Sequence, residues 1–232
     1  MEVGWLWGYR WLLAAVLALA SSAAAWAQPA DLGQTVALNG TAAGVAACIA
    51  CHGMKGEGDA IGGFPRIAGL DSDYIEAQLV AYASGQRQSS LMELPAKLLA
   101  PAERSAVAAY FSQLQSYSPD RAIVIDESAQ PSDAGAWLAT RGRWSQNLPA
   151  CAQCHGATGL GVGATFPPLT GQPASYLALQ LHHWKDGSRP AGPMGLMHLV
   201  AGKLSDRDIT AVAAYYGGPN ALIQQPLPGA RK

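Results

Sequence analysis

All four cysteines of the 232-residue chain stand in two short stretches, CIACH at 48 to 52 and CAQCH at 151 to 155. Two thiols two residues apart, followed at once by a histidine, suit three chemistries: a disulfide, a zinc site, or a haem held through both sulfurs. A C-x-x-C disulfide closes a very short loop, removes little chain entropy and gives the histidine no role. Zinc-ribbon thiol pairs usually lie much closer together in sequence than these two do. The haem reading uses every residue of the motif. Each cysteine forms a thioether with one vinyl group, the gap lets both sulfurs reach one porphyrin edge, and the imidazole meets the iron. Cys48 and Cys51 then anchor one haem with His52 as proximal ligand, and Cys151, Cys154 and His155 do the same for a second.

An internal repeat sets the elements around these motifs. GFPRIAGLDSDYIEAQL at 63 to 79 matches TFPPLTGQPASYLALQL at 165 to 181. Phe64, Pro65, Gly69, Tyr74, Gln78 and Leu79 fall on Phe166, Pro167, Gly171, Tyr176, Gln180 and Leu181 at a constant offset. YASGQR at 82 to 87 parallels WKDGSR at 184 to 189, and AVAAY recurs at 106 and 211. The chain is therefore read as a duplication, with halves at 33–117 and 132–218 joined by a linker at 118–131 and followed by a tail at 219–232. The linker contains AIVI, the one stretch with a case for extended structure. Elsewhere the pattern is helical. SDYIEAQLVAYAS and ASYLALQLHHWKD carry apolar residues at three- and four-residue spacing. PAERSAVAAYFSQL opens on a first-turn proline, and SDRDITAVAAYY opens close to a capping box.

Function turns on the other face of each iron, where methionine raises the potential and closes the site to outside ligands. Aligning the halves through AVAAY places Met92 on Met197, shortly before each last helix. Met54 lies two residues after His52, on the proximal side. Met194 competes with Met197, and the repeat register favours Met197. His198 follows Met197 directly and is a rival ligand, while His182 and His183 suit a surface or inter-domain role. A ligating histidine commonly donates its other ring N–H to a carbonyl, and Pro65 and Pro167 are placed to carry such carbonyls. Arg87 and Arg189 are expected either to pair with haem propionates or to end a helix in solvent.

Composition agrees with a cofactor-filled interior. Ala and Gly supply much of the apolar content and Phe occurs three times, so two small domains have thin cores of their own. A net charge of −1 gives no basic face for nucleic acid. The first residues read as an export leader: Arg10, the apolar WLLAAVLALA, then AWA at 25 to 27 before Gln28. Residues 1–27 are expected to be cleaved between Ala27 and Gln28, which places the mature chain in the periplasm. An uncleaved leader, interrupted by Ser21 and Ser22, would instead hold it at a membrane.

In both halves C-x-x-C-H is followed by F-P-x-x-x-G, Tyr and Gln on a helix, aromatic-x-x-G-x-R, Met, and an Ala-rich helix ending in Tyr. In this order the chain resembles the dihaem cytochromes of the cytochrome c4 type. The resemblance implies an all-α fold of two tandem class I cytochrome c domains about a pseudo-twofold axis, with haems close enough for fast internal electron transfer. It also implies His/Met ligation, by His52 and Met92 and by His155 and Met197, and a periplasmic carrier that often feeds a terminal oxidase.

Three features depart from the pattern. The first half has Gly69-Leu70 where the second has the family's Gly171-Gln172. It is three residues shorter between Arg87 and Met92, and the second half enters through a longer WLATRGRWSQNLPAC. The expected function is a carrier of single electrons from a dehydrogenase or quinol-oxidising complex to a terminal oxidase or other acceptor. Alternatives are an electron-transfer subunit of a periplasmic dehydrogenase complex and a dihaem peroxidase with His182 or His198 as resting ligand. A dihaem thiosulfate dehydrogenase would be expected to use a cysteine ligand, and no cysteine is left for that.

Overall fold

The computed structural model describes residues 29–115 and 133–217. The leader, the AIVI linker and the C-terminal tail lie outside the described residues. The first domain contains α1 (Pro29–Asn39), α2 (Ile49–His52), α3 (Ser72–Ala83), α4 (Glu93–Leu98) and α5 (Pro101–Gln113). The second repeats the order with α6 (Ala134–Thr140), α7 (Ala152–His155), α8 (Ala174–Asp186), α9 (Leu196–Gly202) and α10 (Asp206–Gly217). Among the described residues there is no named strand, only isolated bridges such as Asp59 to Phe64 and Val162 to Phe166. None of the described helices is long and apolar enough to cross a membrane.

The expected helices form for the expected local reasons. Asp71 caps α3 by accepting from the Asp73 and Tyr74 amides at 2.9 and 3.4 Å. Pro101 opens α5, where its missing N–H costs nothing. Glu103 Oε2 accepts from the Ala100 amide at 2.8 Å, the half of a capping box that an alanine cap allows. At α10 the box is complete. The Ser205 amide donates to Asp208 Oδ2 at 2.9 Å, and the Asp208 amide donates to Ser205 Oγ at 3.2 Å.

Helices α1 and α6 were not marked by periodicity; α6 is only seven residues long and rich in Ala and Gly. Each is held by a close crossing with its domain's last helix. A Cβ at Gly33 would come 2.1 Å from the Ala106 carbonyl oxygen on α5, and one at Gly135 would come 2.3 Å from that of Ala211 on α10. Only glycine permits that approach in either half. The lengthened way into the second domain proves modest against the first. The turn closed by Thr41 N–H to Val45 O becomes one closed by Arg143 N–H to Leu148 O, with one more residue inside.

Candidate haem sites

In each half the C-x-x-C-H stretch folds as a single helical turn, α2 or α7, ending at Gly53 or Gly156 with φ of 84°. The turn buries the histidine and leaves the cysteines nearer the surface: His52 and His155 are buried, Cys51 is exposed, and the other three thiols are half-buried. Neither cysteine pair is bridged. Burial pushes the Cys48 thiol up to about 11 and the Cys151 thiol up to about 12.

Each histidine is oriented by a proline carbonyl, as the sequence suggested. His52 Nδ1–H donates to Pro65 O at 2.9 Å, and His155 Nδ1–H donates to Pro167 O at 2.7 Å. A carbonyl can only accept, so the proton is on Nδ1 and Nε2 is left as the ring atom able to bind metal. Burial lowers both imidazole pKa values, and the bond to the carbonyl partly opposes this, so both rings are held neutral. Phe64 and Phe166 set a ring edge-on to these imidazoles at 6.3 and 6.0 Å. The loop returns under the Phe-Pro segment through Gly58 and Gly161, whose amides donate to the His52 and His155 carbonyls. Both have positive φ, and a Cβ there would strike the Arg66 or Pro168 nitrogen at 2.5 or 2.7 Å.

Met92 is half-buried against the first-domain core at the start of α4, with its amide donating to Ser89 Oγ at 3.1 Å. Met197 is half-buried on α9. Their rivals are turned outward. Met194 is 79% exposed at a left-handed φ of 57°, and Met54 is 68% exposed. His198 is exposed, with Nδ1 bonded to Trp184 O at 2.8 Å.

The arginines correct one expectation, since neither ends a helix in solvent. Arg87 and Arg189 are 4% and 6% exposed and cross the seam between the domains. Arg87 donates to Gln78 Oε1 of its own domain at 2.8 Å, and to Gln180 Oε1 and Tyr176 Oη of the other at 2.6 and 3.0 Å. Arg189 mirrors it, donating to Gln180 Oε1 at 2.9 Å, Tyr74 Oη at 3.2 Å and Gln78 Oε1 at 3.3 Å. Each also lies over the aromatic ring of its own motif, Arg87 on Tyr82 and Arg189 on Trp184. The roles of Tyr74, Gln78, Tyr176 and Gln180 were missed. Their identity in both halves was the available signal.

Among the described residues no carboxylate pairs with either guanidinium. Burial alone would raise the Tyr176 phenol pKa, yet the two guanidiniums hold it below its ordinary value. A seam that buries two cations without an anion fits a cofactor that brings carboxylates. The Tyr216 hydroxyl, buried beside Cys151 with no protein partner, is a second polar group that fits such a cofactor.

Comparisons with known proteins agree. Residues 30–115 match the family described as cytochrome c, and residues 136–215 match that described as cytochrome C oxidase, cbb3-type, subunit III. A thiosulfate dehydrogenase electron acceptor of Stutzerimonas stutzeri is 44% identical over 208 residues, covering 89% of this chain and 94% of that protein. Among solved structures, reduced cytochrome c4 from Pseudomonas stutzeri superposes with a TM-score of 0.67 at 30% identity, over 82% of this chain and 98% of that one. The as-isolated form of a thiosulfate dehydrogenase from Marichromatium purpuratum gives a TM-score of 0.73 at 40% identity. That match covers 87% of this chain but 41% of the other, so this chain spans less than half of that protein's length.

Proposed function

Because this chain belongs to the dihaem cytochromes c of the cytochrome c4 type, we propose that it accepts single electrons from a thiosulfate dehydrogenase in the periplasm and delivers them to a terminal oxidase or similar acceptor. It is a dihaem electron carrier with haem c attached at Cys48 and Cys51 and at Cys151 and Cys154. Each bound haem supplies one iron that alternates between ferric and ferrous. The observation that carries the choice of donor is the 44% identity to an electron acceptor of thiosulfate dehydrogenase over 94% of that acceptor's length. The longer Marichromatium purpuratum chain would hold in one polypeptide what this chain meets as a separate partner.

In this reading His52 and His155 are the proximal ligands, with Nδ1 tied to Pro65 and Pro167 and Nε2 given to iron. Met92 and Met197 close the distal faces. This is supported by their shared register and by the outward placement of Met54 and Met194. Two closed irons leave no position for a sulfur compound or peroxide, so the chain moves electrons and transforms no substrate. Arg87 and Arg189 supply the buried positive charge that propionates would neutralise. The mature chain begins at Gln28 after loss of residues 1–27, and its domains occupy 33–117 and 132–218 around the 118–131 linker. The leader pattern and the doubled motif support these bounds.

The test is rapid mixing of the ferric protein with thiosulfate, with and without a dihaem thiosulfate dehydrogenase. Both haems should reduce only when the dehydrogenase is present. The reduced protein should bind carbon monoxide poorly. Reduction by thiosulfate alone, no reduction with the dehydrogenase, or stoichiometric carbon monoxide binding with peroxide turnover would each overturn the reading.

A further inference from the structure

The geometry points to Gln172 as a positioning residue for the first haem: from the second domain it clamps the peptide that holds His52, and so ties that haem's potential to domain docking. This rests on reading His52 as a proximal ligand. The Pro65 carbonyl and the Arg66 N–H are two ends of one peptide group. The carbonyl accepts from His52 Nδ1 at 2.9 Å, while the N–H donates to Gln172 Oε1 at 3.0 Å. Gln172 Nε2 in turn donates to Arg66 O at 2.7 Å, a two-point pairing between side-chain amide and main chain. Arg66 and Gln172 are each 4% exposed, so water does not compete.

A peptide that donates through its N–H accepts more strongly through its C=O. A stronger acceptor draws the Nδ1 proton outward and makes the imidazole a better donor to iron. That favours the ferric state and lowers the potential.

The second domain lacks both halves of the device. His155 is held by Pro167, but the next residue is Pro168, which has no N–H. The counterpart of Gln172 is Leu70, whose backbone is placed alike: Gly69 N–H bonds Phe111 O as Gly171 N–H bonds Tyr216 O. Leu70 and Pro168 both line one cleft, with Asp71 and Gly161 among its other walls. Two separate departures between the repeats, Leu70 against Gln172 and Arg66 against Pro168, are thus one asymmetry.

The experiment uses the intact dihaem protein, titrated optically, with each haem assigned by NMR of its paramagnetically shifted signals. Gln172→Leu, which copies Leu70, should raise the potential of the haem on Cys48 and Cys51 and leave the other unchanged. The His52 Nδ1–H resonance should report a weaker hydrogen bond. Gln172→Met keeps the length of the side chain, removes both bonds to Arg66 and should move the same potential upward. Equal movement of both haems, or of neither, in a correctly loaded Gln172→Leu protein would overturn the clamp. Should that variant fail to load, a downward or absent shift in Gln172→Met would do so. A paramagnetically shifted His52 ring N–H in the unmodified protein establishes ligation independently. Its absence overturns the ligand reading and the clamp with it; its presence with unmoved potentials overturns the clamp alone.

Discussion

The first domain buries one continuous apolar cluster around Phe111, whereas the second divides its apolar side chains between a cluster at Tyr216 and another at Leu148 and Ile209. Phe111 and Tyr216 occupy the same place after AVAAY, and the second brings a buried hydroxyl where the first has none. Each Cα frame around the histidine is otherwise repeated, down to the proline carbonyl and the glycine beneath it. The difference teaches where a duplicated scaffold is free to diverge. The proline carbonyl, the glycine beneath it and the Arg, Gln and Tyr of the seam are kept twice, while the residue after AVAAY and the pairs Leu70/Gln172 and Arg66/Pro168 have changed.

The strongest attack on this comparison is at the distal faces. Met92→Ala and Met197→Ala should each remove roughly half of the ferric methionine-to-iron band and lower one potential. Absorption spectra of the loaded variants check this. A silent Met197→Ala beside an altered Met194→Ala would show that the second half uses another register.

Next comes the core. Phe111 is 1% exposed, and Phe111→Ala should cost about 3–5 kcal/mol in chemical unfolding. Tyr216→Phe removes a hydroxyl with no protein partner and should stay within about 1 kcal/mol of the parent, while shifting only the second haem's potential.

The seam follows. Arg87 makes shorter cross-domain bonds than Arg189, so Arg87→Leu should destabilise more than Arg189→Leu. Without Arg87 the buried Tyr176 hydroxyl loses its partner while Gln78 and Gln180 keep their bonds from Arg189, so the loss should be about 1–3 kcal/mol. Denaturant midpoints of both variants would show the order, and equal losses would argue that the two sides of the seam are equivalent.

The smallest effect is acid sensitivity. Burial alone would raise the Asp208 carboxyl pKa, but bonds from Ser205 and Arg143 hold it below its ordinary value. A carboxyl depressed in the folded state stabilises fully above its unfolded pKa, about 3.9, and loses that stabilisation as pH falls through the folded value. Glu103 on α5 forms only half of a box. The α10 start should therefore loosen in acid by about 1 kcal/mol, as read by amide exchange. Asp208→Asn should flatten the dependence.

The sequence revealed what covalent attachment and duplication write into it. Thioether chemistry fixes Cys48, Cys51 and His52 by type and spacing, and the second copy supplies an internal alignment that singled out Pro65 with Pro167 and Met92 with Met197. The seam was hidden because its contacts join residues far apart in the chain, such as Arg87 with Gln180, so no local pattern records them. The arginines were legible as a pair without their partners. Leu70 and Gln172 were legible as a departure without its reason, which required knowing that Arg66 lies opposite. Helices α1 and α6 escaped because their packing depends on what glycine omits at Gly33 and Gly135.

The central claim, two His/Met haems in one carrier, is tested most directly by an optical redox titration of the intact protein. The account predicts two one-electron steps, each accompanied by loss of the ferric methionine-to-iron band, with Gln172→Leu moving one step alone. A single step from one haem, or a step with no methionine band, would contradict it.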